Sequence, residues 1–487
     1  MKKIIRLSLV SVLAIASLHA SNANDGVNTK LKHGEDAKVE VSKSQDANSI
    51  EDMFANGKVS GQIRTFYIDR AYQGGSGKDT HRDSTTIGGH LKYETATYNA
   101  INLGAAFYTT NKVDLNQHGV EDPSLLGLGW DSYSILGEAY VGLDFSEYGS
   151  KTTAKLGLQR YDTPMVGSDD ARMIPNTFEA YKIVNKDIGG LTIQAAHINQ
   201  IAYGSFGNIY MSAADGTVKP GGVLGATSGY SAKGTEIGQY NNIGDATVGK
   251  NTDGITNIQL MYKADNFHVK VSNDYAWDLY NTLYADTGVS WKCLLSDSVK
   301  PFVKAQIIKQ DSVGDEYMKN LSTSDNGAID SLYWAVKGGA KVGGLTAYVA
   351  YSETTDNDNS QKTLNPFANA IISQFGGMPA YTQGMVTRHQ FLAGTKATKV
   401  AASYSFKEQG LNLSAAAYYA SFDMDENSGY GVERTAYEPG FDIKYYPAMV
   451  KNLQLRLRGN FPRKYADGGN NTDTGWDEYR FIMNYNF

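Results

Sequence analysis

The chain has 487 residues, room for several ordinary domains or for one large β architecture. It holds 51 glycines and 33 tyrosines against 10 prolines, and its formal charge of −6 disfavours a nucleic-acid partner, which selects basic surfaces. One cysteine, Cys293, excludes an intramolecular disulfide and a cysteine-ligated zinc centre.

Met1-Lys2-Lys3-Ile4-Ile5-Arg6 leads into an apolar run from Leu7 to Leu18, then Ser21-Asn22-Ala23. A basic start, a short apolar core and a small-x-small site predict a signal peptide over residues 1–23, with cleavage after Ala20 the alternative. The apolar run is too short to span a bilayer as a helix, and no later segment could do so. Loss of the leader's three basic residues takes the formal charge to −9. Residues 24–55 are polar and charged, with Ile50, Met53 and Phe54 at helical spacing. They are expected to form a periplasmic lead-in with one short helix; a plug closing a pore from below is the alternative.

From residue 56 to 487 the pattern is alternation. Tyr133, Ile135, Gly137, Ala139, Val141, Leu143 and Phe145 are apolar or small with an aromatic at each end, while Ser134, Glu138, Tyr140 and Asp144 fall between them. A period of two over this length is a strand. Twelve residue steps at ~3.3 Å, tilted by ~45°, rise roughly 28 Å, the height of the apolar band of a membrane barrel. Strands of soluble sandwiches are usually about half as long.

The expected strands, in chain order, are 59–70, 85–97, 98–109, 131–147, 150–161, 177–188, 190–203, 253–265 and 266–278. They continue with 280–293, 299–313, 328–342, 344–354, 387–408, 410–423, 433–447, 452–463 and 475–487. The fold class is therefore all-β, a transmembrane antiparallel barrel of about eighteen strands. Tight turns at Glu147-Tyr148-Gly149, Ile188-Gly189-Gly190, Ala264-Asp265-Asn266, Val342-Gly343-Gly344 and Lys407-Glu408-Gln409-Gly410 occupy every second junction. Most long connections, including 204–252 and 355–386, fill the others, as short periplasmic turns and long external loops do. The last strand sets Tyr479, Phe481, Met483, Tyr485 and Phe487 on one face, an ending like the C-terminal signal of outer-membrane barrels.

Residues opposite the lipid face line the lumen. Leu453, Leu455 and Leu457 outside place Arg456 and Arg458 inside; Phe441, Ile443 and Tyr445 do so for Asp442 and Lys444, and Phe481 and Met483 for Arg480. Val303, Ala305 and Ile307 turn Lys304 inward. Lys444, Arg456, Arg458 and Arg480 fall on the last three strands and would form a basic stripe along one wall. Arg64 on the first strand would close beside Arg480, although Phe66 leaves its face ambiguous. Several charges summed between low-dielectric walls reach a few kT, enough to choose among small solutes.

Between the fifth and sixth strands lie Asp162-Thr163-Pro164 and Ser168-Asp169-Asp170-Ala171-Arg172-Met173-Ile174-Pro175-Asn176-Thr177-Phe178-Glu179-Ala180. This run resembles the OprD-type substrate-specific porins, in which a strand enters an infolded loop through a Pro and continues through an Asp-x-Arg-x-x-Pro-x-Thr-Phe-Glu-Gly-like motif. Ala180 stands where Gly is usual. The opening strand, Gly57-Lys58-Val59-Ser60-Gly61-Gln62-Ile63-Arg64, is similar as well. The resemblance implies a monomeric barrel whose third external loop, near 162–176, narrows the channel. It also implies a basic ladder facing an acidic pocket, and passage of amino acids, carboxylates or other small charged solutes. Asp169, Asp170 and Arg172 are then constriction residues, and Arg456, Arg458 and Arg480 ladder residues.

A hydrolase reading finds no G-x-S-x-G elbow. Gly74-Gly75-Ser76-Gly77-Lys78-Asp79 lacks the leading Gly and the Ser/Thr of a phosphate loop. The histidines show no metal-ligand spacing such as H-E-x-x-H. No catalytic residue, metal or cofactor is assigned. A TonB-type transporter would need a longer chain with a folded plug. A trimeric general diffusion porin is the closer rival, and a barrel hydrolase or an adhesin the more distant ones. The expected partners are outer-membrane lipid and lipopolysaccharide, small solutes, and the barrel-assembly machinery acting on the Phe487 strand.

Overall fold

The structure is a computed structural model that describes residues 47–73, 81–207, 237–318, 328–356, 369–377, 379–425, 433–467 and 473–487. The expected signal peptide and the Gly74–Asp79 stretch lie outside these residues.

Among the described residues, eighteen long strands follow one another around a closed antiparallel barrel. They are β1 (Lys58–Gln73), β2 (His81–Glu94), β3 (Ile101–Val113), β4 (Tyr133–Asp144), β5 (Thr152–Gln159) and β6 (Thr177–Asn185). Next come β7 (Leu191–Ala202), β8 (Ile255–Lys263), β9 (Phe267–Ala276), β10 (Tyr280–Ser290), β11 (Val299–Ser312) and β12 (Asp330–Val342). The last are β13 (Leu345–Thr354), β14 (Lys396–Ser405), β15 (Leu413–Met424), β16 (Arg434–Tyr445), β17 (Leu453–Asn460) and β18 (Asp473–Asn486). Closure comes from β1 pairing with β18, from Gln62 opposite Asn486 to Gln73 opposite Gly475. With no free edge, every strand satisfies its backbone groups on both sides, which a bilayer demands.

The alternation of the sequence becomes an inside and an outside. Along β12, Ser331, Tyr333, Ala335 and Lys337 are buried while Leu332, Trp334 and Val336 are exposed. Ile63, Leu91, Phe107, Val303, Val349, Val400, Leu457 and Phe481 repeat that outward exposure around the wall. An apolar belt of this extent suits hydrocarbon, not water.

Part of the inner face is buried under inward-folded loops. The expected segment 387–408 shortens to Lys396–Ser405 for this reason. Thr387, His389, Gln390 and Phe391 are buried and belong to the inward-folded β13–β14 connection. At the opposite end, helix α1 (Ile50–Ala55) starts at a Ser49 cap and packs Met53 with Ala47 and Ala96 beneath the β2–β3 turn.

Candidate functional site

The β5–β6 connection, residues 160–176, leaves the sheet at Arg160 and folds back on itself. Pro164 and Pro175 have no amide hydrogen and cannot extend a ladder. The Ser168 amide donates to Asp162 Oδ1 at 2.9 Å, and the Asn176 amide to the Ser168 carbonyl at 2.7 Å. Asn176 also donates its side-chain amide to the Gly167 carbonyl at 3.1 Å. At the tip Asp169 has φ of +41°, a conformation costly for a residue with a side chain.

The charged residues of this loop lean on different walls. Asp170 Oδ1 lies 2.6 Å from a guanidinium nitrogen of Arg64 on β1, and Arg160 approaches its other oxygen at 3.4 Å. Arg64 also donates to the Arg172 carbonyl and to Asn484 Oδ1, the latter at 2.8 Å. Asp169 faces Arg388 of the β13–β14 connection at 3.8 Å. Arg172, buried, donates to Ser124 Oγ at 3.1 Å, approaches Glu478 at 3.6 Å, and lies over the rings of Phe66 and Phe206. Arg64 and Phe66 therefore both point inward, which removes the ambiguity left by the sequence.

These surroundings separate two neighbouring carboxyls. Burial pushes the Asp169 carboxyl up, against the pull of Arg388 and Arg172. Burial acts on Asp170 too, but Arg64 and Arg160 hold it well below the usual carboxylate range. Burial and the neighbouring Arg480 push Arg172 down, against Glu478.

On the wall, Lys444, Arg456, Arg458 and Arg480 occupy inner positions of β16, β17 and β18. Lys444 pairs in register with Arg456, and Arg458 with both Asp442 and Arg480. Arg70 on β1 adds a further cation opposite Glu478. Acids sit within the stripe itself. Asp442 accepts two hydrogen bonds from Arg456 at 2.8 and 2.5 Å and lies 3.8 Å from Lys444. Glu478 binds Arg70 at 2.6 Å and also Arg480. Asp122 reaches Arg70 from the β3–β4 connection at 2.8 Å. Lys304 stands apart on β11, in register with Lys337, and does not join the stripe.

The sequence reading set Asp442 inward beside Lys444 but missed Arg70, Asp122, Arg160, Arg388 and Glu478 as site residues. Period-two counting could have placed Glu478 beside the arginines, but nothing local marks Arg388. It belongs to a second infolded loop, whose described residues run over β11 to β16. Gln310 on β11 both accepts from the Ile372 amide at 2.7 Å and donates to its carbonyl at 2.8 Å. Glu438 on β16 accepts the Met385 and Thr387 amides at 2.6 and 2.8 Å. The two loops meet where the Gly167 amide donates to the Phe375 carbonyl at 3.0 Å.

A family model described as outer membrane porin, OprD family, matches residues 51–487. No curated protein sequence matches the chain. Among solved structures, OccK9 (OpdG) of Pseudomonas aeruginosa superposes with a TM-score of 0.67 at 17% identity, covering 89% of this chain and 99% of its own. OpdK of the same organism, solved with vanillate, gives 0.66 at 16% identity, with 89% and 99% covered. A BenF-like porin from Pseudomonas fluorescens Pf-5 gives 0.66 at 17%, with the same coverage. These neighbours share the barrel fold.

Proposed function

Because the chain belongs to the OprD family of outer-membrane porins, we propose that it passes small carboxylate-bearing solutes, amino acids among them, across the bacterial outer membrane. The observation that carries this reading is the inner wall of β16, β17, β18 and β1. There Lys444, Arg456, Arg458, Arg480, Arg64 and Arg70 line adjoining strands in register, with Asp442, Glu478 and Asp122 set among them. A carboxylate sliding along this wall exchanges hydration for successive guanidinium contacts, each charge-assisted and two-pronged. Asp169 and Asp170 on the infolded loop supply the opposite sign close by, beside the further cation Arg172, so a zwitterion meets partners for both ends.

Each chain closes its own barrel, which suits a pore that works as a monomer. Phe487 exchanges two backbone hydrogen bonds with Gly61, at 2.9 and 3.0 Å, which makes the terminal strand the seam where closure ends. We read that strand as the segment presented to the assembly machinery, with lipopolysaccharide and lipid against the outer belt.

Purified protein in a planar bilayer tests the proposal. Single-channel steps, a reversal potential favouring anions in a salt gradient, and concentration-dependent block by a carboxylate are expected. Vanillate, named with OpdK, is an aromatic carboxylate and a suitable first probe. Conductance no greater than that of lipid alone would remove the pore reading; cation preference without carboxylate block would remove the solute class.

A further inference from the structure

Asp69, His81 and His118 bring three metal-capable atoms within 4.8 Å of one another on the outer side of the barrel wall. Asp69 lies on β1 between the buried, inward-facing Ile68 and Arg70, so strand alternation turns it outward. His81 opens β2 in register with Ala71, on the same side. His118 arrives from the β3–β4 connection and is held in place from below. Asp83, buried on β2, accepts the backbone amides of Gln117 at 2.8 Å and His118 at 3.1 Å. His81 Nε2 is 2.8 Å from Asp69 Oδ2, and His118 Nε2 is 3.8 Å from that same oxygen. The two imidazoles stack with ring centroids 3.4 Å apart.

A His–Asp ion pair needs one imidazole. Here a second ring converges on the same carboxylate oxygen, fixed there by the Asp83 clamp. We propose that Asp69, His81 and His118 form a binding site for a divalent d-block cation of the Zn²⁺ type at the external rim. Imidazole nitrogen with one carboxylate oxygen suits Zn²⁺, Cu²⁺ or Ni²⁺, whereas Mg²⁺ and Ca²⁺ favour oxygen alone. Donors around a tetrahedral Zn²⁺ at ~2.0–2.1 Å stand about 3.3 Å apart, and the two separations above straddle that figure. Three protein ligands leave a fourth position for water or an external anion.

All three side chains are partly exposed, so an ion reaches them from outside the cell without entering the lumen. The ion's effect would nevertheless extend inward. The same connection carries Asp122, paired with Arg70, and Ser124, which accepts from Arg172. Anchoring His118 to β1 and β2 ties down the segment that supplies those lumen contacts.

The test is calorimetric titration of tag-free, detergent-solubilised protein with Zn²⁺, and with Mg²⁺ for comparison. One Zn²⁺ site and no Mg²⁺ site are expected, with a four-coordinate visible spectrum on adding Co²⁺. H81A and H118A should each weaken Zn²⁺ binding at least about tenfold, as even outer hydrogen-bond partners of metal ligands matter that much. The H81A/H118A pair should abolish it. Heat-modifiable migration of each variant shows that its barrel is closed. Absence of Zn²⁺ binding, equal binding of Mg²⁺, or Zn²⁺ binding undiminished in the double variant would overturn the proposal.

Discussion

Asp170 and Arg64 are 106 residues apart in the chain and 2.6 Å apart in the lumen. The pair ties the tip of the β5–β6 loop to the first strand, and Asn484 fixes the Arg64 guanidinium for it. Removing one partner from a mostly buried pair costs ~3–5 kcal/mol, because the other charge is left behind. D170N should shift the reversal potential in a KCl gradient further toward anions, and R64Q should shift it toward cations. The double variant should fall short of the sum of the two in stability, since the contact is lost once. Fully additive effects would show that the pair does not form in the membrane.

Asp169 and Asp170 should titrate far apart although they are adjacent. Burial raises the Asp169 carboxyl above its ordinary value, while the arginines depress that of Asp170. As pH falls, Asp169 is neutralised first, at a pH above the ordinary carboxylate value, while Asp170 stays charged. Anion preference should therefore rise in one step on acidification, beginning above ordinary carboxylate pKa values. D169N should show the acid-form preference throughout and lose the step. A step that persists in D169N would assign the titration to another group.

The two infolded loops touch through glycine. Gly376 and Gly377 have φ of +75° and +79°, where a side chain is strained. A Cβ on Gly376 would also lie 2.3 Å from the Gly167 carbonyl oxygen, and one on Gly377 2.5 Å from that of Pro164. G376V should push the loops apart and give a larger, noisier single-channel conductance with heat-modifiable migration unchanged. Conductance identical to that of the parent chain would mean that this junction does not limit the pore.

The barrel was legible because membrane strands repeat one simple rule, apolar every second residue, and their tight turns use glycine. Most strand ends moved by a few residues, and the start of β14 by nine, since backbone pairing and not side-chain pattern decides where a ladder stops. The β5–β6 loop was legible through Pro164 and Pro175, which cannot pair. The inward fold of residues 369–377 and 379–391 was not. Its anchors are Glu438 under the amides of Met385 and Thr387, and Gln310 on both backbone groups of Ile372. Such contacts between a wall side chain and a distant backbone leave no trace in local composition. For the same reason Arg388 could not be matched with Asp169 in advance, nor Asp122 with Arg70.

Glu478 is the anion on which three guanidiniums converge, those of Arg70, Arg172 and Arg480. Arg480 in addition stands directly across the ladder from Arg458, a like-charge placement that destabilises a sheet unless an anion intervenes. At an effective dielectric of ~20, each like-charge pair about 4 Å apart costs on the order of 4 kcal/mol. E478Q keeps the shape and removes the charge. It should lower the temperature at which the barrel unfolds in heat-modifiability gels by a wide margin. The variant should recover part of that loss when R480M removes one of the stranded cations. The surviving E478Q channels should be more anion-selective and more strongly blocked by carboxylates, because a solute anion then takes the place Glu478 held. An unfolding temperature equal to that of the parent chain would show that the three arginines find their counter-charge elsewhere, and the basic wall would then need a different account.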